Sequence, residues 1–164
     1  MNGIELLTAS LQSSRKMLEW VLSDLSDSDL LVRPVPGANH FAWQLGHLIS
    51  SERAMVLEQL PSAQMPELPA GFAEAHGKAT SGSDEAPNFL SCDAYIALLG
   101  SIREATVANV SKLSDADLSR PTVGNMASFC PTLGTLLGLL NDHIMMHLGQ
   151  ATVIRRKLGK PVLF

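Results

Sequence analysis

Three histidines form the pattern in this sequence that could do chemistry. His143 and His147 are four residues apart in an apolar stretch near the C-terminus, and His47 lies far upstream in a segment of similar pattern. Imidazoles at positions i and i+4 share one face of a helix, about 6 Å apart at Cβ, so both can reach one metal ion. Three imidazoles without a thiolate would leave a coordination position open, which is typical of reactive rather than structural sites.

Imidazole ligands suit zinc or another late divalent metal ion. Such an ion lowers the pKa of a bound water toward about 7, so the pattern favours hydrolysis or activation of a thiol. A lone histidine on an apolar face is more often a hydrogen-bonded core residue without a metal. The combination of His143 and His147 on one helix with His47 on a facing helix is what favours a shared metal site.

A general base is harder to identify in the sequence. Glu52 follows His47 by five residues, about 140° around a helix, so we expect it to lie off the histidine's face. Ser51, at i+4 from His47, and Gln150, at i+3 from His147, are better placed to contact a ligand or substrate. For each of these two residues, a solvated polar side chain is the alternative. The catalytic residues therefore remain unassigned.

The composition predicts a helical protein with one domain over residues 1–164. Hydrophobic residues make up 46% of the chain but aromatic residues only 5%, so the core should consist largely of aliphatic residues and methionine. This length is sufficient to bury such a core without disulfides. A formal net charge of −4, without a block of lysine and arginine, argues against nucleic acid as a partner.

The expected location is the cytoplasm. Cys92 and Cys130 are isolated, and the N-terminus lacks the basic and apolar stretches of a signal peptide. The longest apolar stretch, 133–146, is interrupted by polar residues and is too short to cross a membrane. We therefore expect reduced thiols and no membrane partner.

Hydrophobic periodicity predicts an all-α fold with four long helices, at about 4–25, 41–60, 92–113 and 131–158. Asn2 and Asn39 are the expected caps of the first two helices, and Pro131 is the expected first residue of the fourth. This pattern predicts a four-helix bundle, in which ligand sites lie in the core between facing helices.

A long crossover joins the second and third helices. Residues 61–88 are rich in proline, glycine, serine and alanine, which indicates an irregular or mobile connection, either a lid or a disordered insertion. His40, at the entrance to the second helix, and His76, in the crossover, are interpreted as surface histidines without a role. A weak repeat relates 25–30 to 113–118 and divides the chain into two helix pairs.

Two segments resemble the DinB/YfiT-like family of four-helix bundles. Residues 43–48, WQLGHL, are similar to the family's W-x-x-G-H segment, and residues 143–150, HIMMHLGQ, are similar to its H-x-x-x-H-x-G-Q segment. The resemblance implies that His47, His143 and His147 bind nickel, zinc or a similar divalent ion. It also implies a homodimer.

The family's activities are diverse, so the resemblance does not select one. Relatives include thiol-dependent S-transferases that use mycothiol or bacillithiol, a maleylpyruvate isomerase, and proteins known only as metal-dependent hydrolases or stress-induced proteins. The leading hypothesis is a metal-dependent hydrolase or thiol-dependent S-transferase that acts on an unidentified small molecule, with a low-molecular-weight thiol as cosubstrate in the second case. The alternatives are a non-catalytic metal- or ligand-binding bundle of the stress response, and a bundle with three core histidines and no metal.

Overall fold

The computed structural model describes residues 1–85 and 88–163, and these form the predicted helical bundle. In chain order the helices are α1 (Gly3–Leu22), α2 (Asp27–Leu30), α3 (Phe41–Gln59), α4 (Phe72–Ala75), α5 (Cys92–Val110) and α6 (Leu133–Lys157). The four long helices, α1, α3, α5 and α6, correspond to the four predicted ones, and the short helices lie in the connections. The all-α prediction is confirmed.

Local hydrogen bonds explain where the first and third long helices begin. The Asn2 side chain accepts a hydrogen bond from the backbone N–H of Glu5, and the Glu5 carboxylate accepts one from the backbone N–H of Asn2. This reciprocal arrangement satisfies two amides that would otherwise lack partners at the start of α1. The Ser91 hydroxyl caps α5 in a similar way, by accepting a hydrogen bond from the Ala94 amide.

One predicted cap is wrong by one residue, and one predicted helix start is wrong by two. His40, not Asn39, caps α3, because its Nδ1 accepts a hydrogen bond from the backbone N–H of Trp43 at 3.1 Å. α6 begins at Leu133 rather than at Pro131, and the hydroxyl of Thr132, the residue before it, forms a capping box. In both cases the cap is the last extended residue whose side chain reaches the helix amides, a geometry that composition alone does not locate.

The weak repeat in the sequence corresponds to a repeated local structure. Ser26 begins α2 through a capping box with Asp29, and Ser114 begins the 3-10 helix Asp115–Ser119 through a capping box with Asp117. Each copy follows a long helix and turns the chain toward the next one. The same four-residue capping box therefore lies in the connection between the two long helices of each pair.

The core lies between the four long helices, and α1 and α3 each contact both α5 and α6. Its fully buried side chains are predominantly aliphatic and include Leu11, Leu18, Leu45, Ile49, Leu99, Ile102, Leu136 and Ile154. Burial of each such side chain contributes about 1.5–3 kcal/mol, so these residues supply the main driving force for assembly of the bundle. Within residues 1–85 and 88–163, no helix has the length and apolar character that a membrane span requires.

The crossover between α3 and α5 contains more regular structure than its composition indicates. It includes α4 and the 3-10 helix Lys78–Thr80, and Phe72 is buried in the main core. Arg33 donates hydrogen bonds to the carbonyls of Ser81 and Ser83, which holds the later part of the crossover against the α2–α3 connection. Two residues of the predicted crossover, at positions 86 and 87, lie outside the described residues.

Candidate metal centre

α3 and α6 bring the three predicted histidines together. One ring nitrogen from each of His47, His143 and His147 lies within 4.8 Å of the others. The Nε2 atoms of His143 and His147 are 3.2 Å apart. Ligand nitrogens at 2.0–2.1 Å from a tetrahedral ion are separated by about 3.3 Å, so this pair already has the spacing of two ligands of one ion.

Burial keeps these imidazoles in the form that binds metal. Removal from water, with a smaller effect of neighbouring histidines, lowers the pKa of His143 and of His147 to about 4. Burial also lowers the pKa of His47 below its ordinary value. Metal binding requires a neutral imidazole, so near neutral pH an ion would not have to displace protons from these rings.

Gln44 determines which nitrogen of His147 is available. The Gln44 amide Nε2 donates to the carbonyl of Asn39 at 2.8 Å, so its Oε1 is the atom that lies 2.9 Å from Nδ1 of His147. Since this oxygen can only accept, Nδ1 carries the hydrogen and Nε2 keeps its lone pair, facing His143. Metal-binding histidines are commonly oriented by such a partner. Sequence analysis missed Gln44, although a polar residue in an apolar stretch three positions before His47 was a usable signal.

His47 is oriented by two neighbours on its own helix. The Trp43 ring stacks on the His47 ring, with centroids 5.0 Å apart and planes 7° from parallel. The indole N–H of Trp43 donates to the carbonyl of Gly77 at 3.2 Å, which ties this stack to the crossover. The Ser51 hydroxyl lies 3.5 Å from Nδ1 of His47, at the outer limit of a hydrogen bond and on the face that the i+4 spacing predicts.

His76 packs against Gly46, the residue before His47. The His76 ring occupies the place of a side chain at position 46: a Cβ there would lie well under 3.0 Å from three ring atoms. Nδ1 of His76 donates to the carbonyl of Phe72 at 2.7 Å, so Nε2 is the acceptor for the hydroxyl of Tyr95, also at 2.7 Å. The glycine of the W-x-x-G-H segment therefore admits a histidine from the crossover.

The interpretation of His40 and His76 as surface histidines is wrong, because their side chains are 0% and 1% exposed. Nδ1 of His40 accepts the capping hydrogen bond at the start of α3, and its Nε2 therefore donates to the carbonyl of Ser83 at 3.0 Å. His40 and His76 thus fix the crossover to α3 from two places. Burial lowers the pKa of both residues.

The two other polar candidates lie away from the histidines. Glu52 is turned off the face of His47, as predicted, and forms a buried ion pair with Arg103, at 2.7 Å from Oε2 to Nη2. Gln150 is exposed and lines a separate depression beside residues 34–39. The solvated alternative is therefore the correct one for Gln150.

An open cleft of about 470 Å³ adjoins the site. His47, His143 and Ser51 form its polar part. The rest of its wall is apolar and consists of Ala54, Met55, Met126, Phe129, Leu139 and Met146. A small molecule in this cleft would lie directly against two of the three candidate ligands.

The comparisons with known proteins agree with this architecture. The chain matches the profile of the DinB superfamily over residues 10–151. Its fold is similar to that of YfiT from Bacillus subtilis, which is described as a probable metal-dependent hydrolase with an unusual four-helix bundle topology. The TM-score is 0.69, and the sequences are 18% identical, with 96% of this chain and 89% of that chain covered.

A DinB-like protein from Bacillus cereus ATCC 10987 is also similar, with a TM-score of 0.66 and 19% identity over 99% of this chain and 95% of that one. No curated protein matches the sequence. At these identities the solved structures show the four-helix bundle fold alone, whereas the family profile covers most of the chain. The protein belongs to the DinB superfamily.

Proposed function

We propose that the protein is a metal-dependent enzyme in which His47, His143 and His147 hold one divalent ion, nickel or zinc, at the wall of an open cleft. The observation that carries the proposal is the convergence of three neutral imidazoles, one buried and two half-buried, beside a space large enough for a small molecule. The chemistry of the donor set fits, because imidazole is a preferred ligand of both ions.

The surrounding residues support such a site by orienting its ligands. Gln44 holds His147 in the tautomer whose Nε2 is free, and Trp43 fixes the plane of His47. A bound divalent ion supplies Lewis acidity, which polarises a substrate and lowers the pKa of a water or thiol. Ser51 offers a hydroxyl from the same wall, where it can position a substrate by hydrogen bonding.

Hydrolysis is the reaction class that we favour. The description of YfiT as a probable metal-dependent hydrolase supports it, since that protein has the same fold. Among the described residues that line the cleft there is no carboxylate, so the proposal assigns no acidic side chain as general base. Transfer of a low-molecular-weight thiol would use the same ion and is the second outcome that an activity screen should include.

The test measures metal content in each preparation, together with turnover in an activity screen for hydrolysis and thiol transfer. Wild-type protein is loaded with zinc or nickel and compared with His143→Ala and with His40→Asn, a control that replaces a buried histidine outside the cluster and retains a capping side chain. We expect a single ion per chain in the wild type and the control, and loss of both metal and turnover in His143→Ala. Failure of the wild type to take up metal, or full turnover by His143→Ala, would contradict the proposal.

A further inference from the structure

The loop that forms one side of the cleft is closed by backbone hydrogen bonds. Residues 121–132 begin and end at an isolated antiparallel bridge between Pro121 and Thr132. Within the loop, the backbone N–H of Cys130 donates to the carbonyl of Met126 at 2.7 Å. Loops whose ends meet and whose interior is hydrogen-bonded behave as compact units rather than as flexible tethers.

The same loop is also anchored to the end of α3. The Gln59 side chain accepts a hydrogen bond from the backbone N–H of Val123 and donates one to its carbonyl, each at 3.0 Å. Gly124 has φ +75°, and the Glu58 carboxylate occupies the space that a Cβ at position 124 would need. The loop is therefore held in one place relative to the helix that carries His47.

This anchored loop presents apolar side chains to the solvent at the cleft. Phe129 is 72% exposed, whereas its neighbour Cys130 is 3% exposed and points into the protein. Met126 lies beside Phe129, and Met146 of α6, 56% exposed, is on the same wall. Exposed apolar side chains that cluster at a cleft mark a binding surface rather than scattered surface residues.

The wall also lacks charge. Among the described residues that line the cleft there is no lysine, arginine, aspartate or glutamate. A carboxylate or phosphate placed against Met126 and Phe129 would lose part of its hydration without gaining a charged or hydrogen-bonding partner from this wall, which is unfavourable. Methionine side chains, in contrast, adapt to irregular apolar shapes.

We propose that the cleft takes an uncharged substrate that carries an aliphatic or aromatic group of several carbon atoms. Met126 and Phe129 are the specificity-determining residues: they bind this group while the reactive end of the substrate lies against His47 and His143. This inference rests on the proposed function, because it assigns the substrate class of the same site.

The test uses hydroxamates, which chelate divalent ions and can carry tails of any length. Binding of acetohydroxamate and octanohydroxamate to zinc-loaded protein is measured by calorimetry, and zinc is quantified in the same samples. Each methylene that becomes buried improves affinity about fourfold, so burial of two or three gives about 15- to 60-fold tighter binding of the longer probe. A probe of equal length that ends in a carboxylate should bind more weakly than octanohydroxamate.

Variants then test which side chains bind the alkyl tail of octanohydroxamate. Phe129→Ser and Met126→Ser should each reduce the ratio between the two affinities several-fold. Val123→Ser is the matched control, since Val123 is 53% exposed in the same loop but does not line the cleft, and it should leave the ratio unchanged. A loss of the ratio in the control as well would mean that the loop as a whole, and not these two side chains, sets the preference, which would overturn the assignment.

The outcomes separate this inference from the proposed function. Zinc-loaded protein that binds both hydroxamates equally, or prefers the carboxylate probe, overturns the substrate class and leaves the metal site intact. Protein that takes up no zinc overturns the proposed function, and the inference with it. A dimer that dissociates on Phe129→Ser, together with no effect of tail length, would assign the apolar wall to contact between two copies of the chain and would also overturn the inference.

Discussion

The substitution Gly46→Ala should destabilise the protein, although glycine to alanine in a helix is usually favourable. In the interior of a helix, alanine is more stable than glycine by about 0.5–1 kcal/mol because it loses less backbone entropy. At position 46 the new methyl would overlap three atoms of the His76 ring. The expected sign of the change is therefore reversed by a single contact with the crossover.

The size of this loss of stability follows from the hydrogen bonds that hold the His76 ring in place. His76 is 1% exposed, and its two nitrogens form 2.7 Å hydrogen bonds with Phe72 and Tyr95. Displacement of the ring breaks at least one of these bonds and leaves a buried polar group unpaired, which costs about 1–3 kcal/mol, and the second bond adds about 0.5–1.5 kcal/mol. After subtraction of the helix preference, we expect a net loss of about 0.5–4 kcal/mol in the free energy of unfolding.

The assay is urea unfolding followed by circular dichroism, in the presence of a chelator so that metal binding does not contribute. Gly138→Ala is the matched control, because Gly138 lies within α6 and a Cβ there would meet nothing within 4 Å. It should stabilise the protein by about 0.5–1 kcal/mol. The two substitutions are chemically identical, so a difference between them isolates the contact with His76.

A double-mutant cycle gives the result that would refute this reasoning. In a His76→Ala background the ring is absent, so Gly46→Ala should be neutral or stabilising. If Gly46→Ala lowers stability equally in both backgrounds, its effect does not pass through His76. If it stabilises the wild-type protein as Gly138→Ala does, the ring is not held where the structure places it.

Three further predictions concern buried polar groups. Gln44→Leu should weaken zinc binding about 10- to 100-fold by calorimetric titration, because His147 loses the partner that fixes its tautomer. Glu52→Ala should lower the free energy of unfolding by about 3–5 kcal/mol in urea, because it leaves the buried Arg103 guanidinium without its counter-ion. Burial lowers the pKa of His40, so below about pH 6.5 the unfolded chain binds a proton that the folded chain does not. The free energy of unfolding should therefore decrease as the pH is lowered, by up to about 1.4 kcal/mol per pH unit for this residue.

Each of these predictions has a control or a contradicting result. Unchanged zinc affinity in Gln44→Leu would remove the assigned role of the amide. For the buried ion pair, Glu104→Ala breaks the contact between Arg15 and the 73% exposed Glu104 side chain, and should cost less than about 1 kcal/mol. For the acid dependence, His40→Asn should reduce the slope of stability against pH, and an unaltered slope would mean that other groups cause it.

The features that sequence analysis predicted depend on local periodicity. His143 and His147 fall on the predicted inward face of α6, and spacing alone places them on that face together, so their proximity required no knowledge of the tertiary structure. The same is true of the capping box at Asn2. The approach of His47 to these two residues could be inferred from the bundle topology, because α3 of the first helix pair packs against α6 of the second.

The features that sequence analysis missed depend on contacts between distant segments. The crossover has no hydrophobic periodicity, so nothing in its composition indicates that His76 is buried or that Gly46 receives it. The role of Gln44 depends on His147 of another helix lying opposite its amide. His40 was misjudged because a histidine that caps a helix and also holds a second segment has no distinctive sequence pattern.

The hydrogen bond between Tyr95 and His76 gives the protein an intrinsic spectroscopic reporter. Tyr95 is the only tyrosine in the sequence, it is fully buried on α5, and burial raises the pKa of its hydroxyl. The ultraviolet absorbance of tyrosinate at alkaline pH therefore arises from one side chain, and it develops only when that side chain reaches water. An alkaline titration consequently records the separation of the crossover from α5 without any introduced label, and shows whether this part of the structure opens before the bundle unfolds.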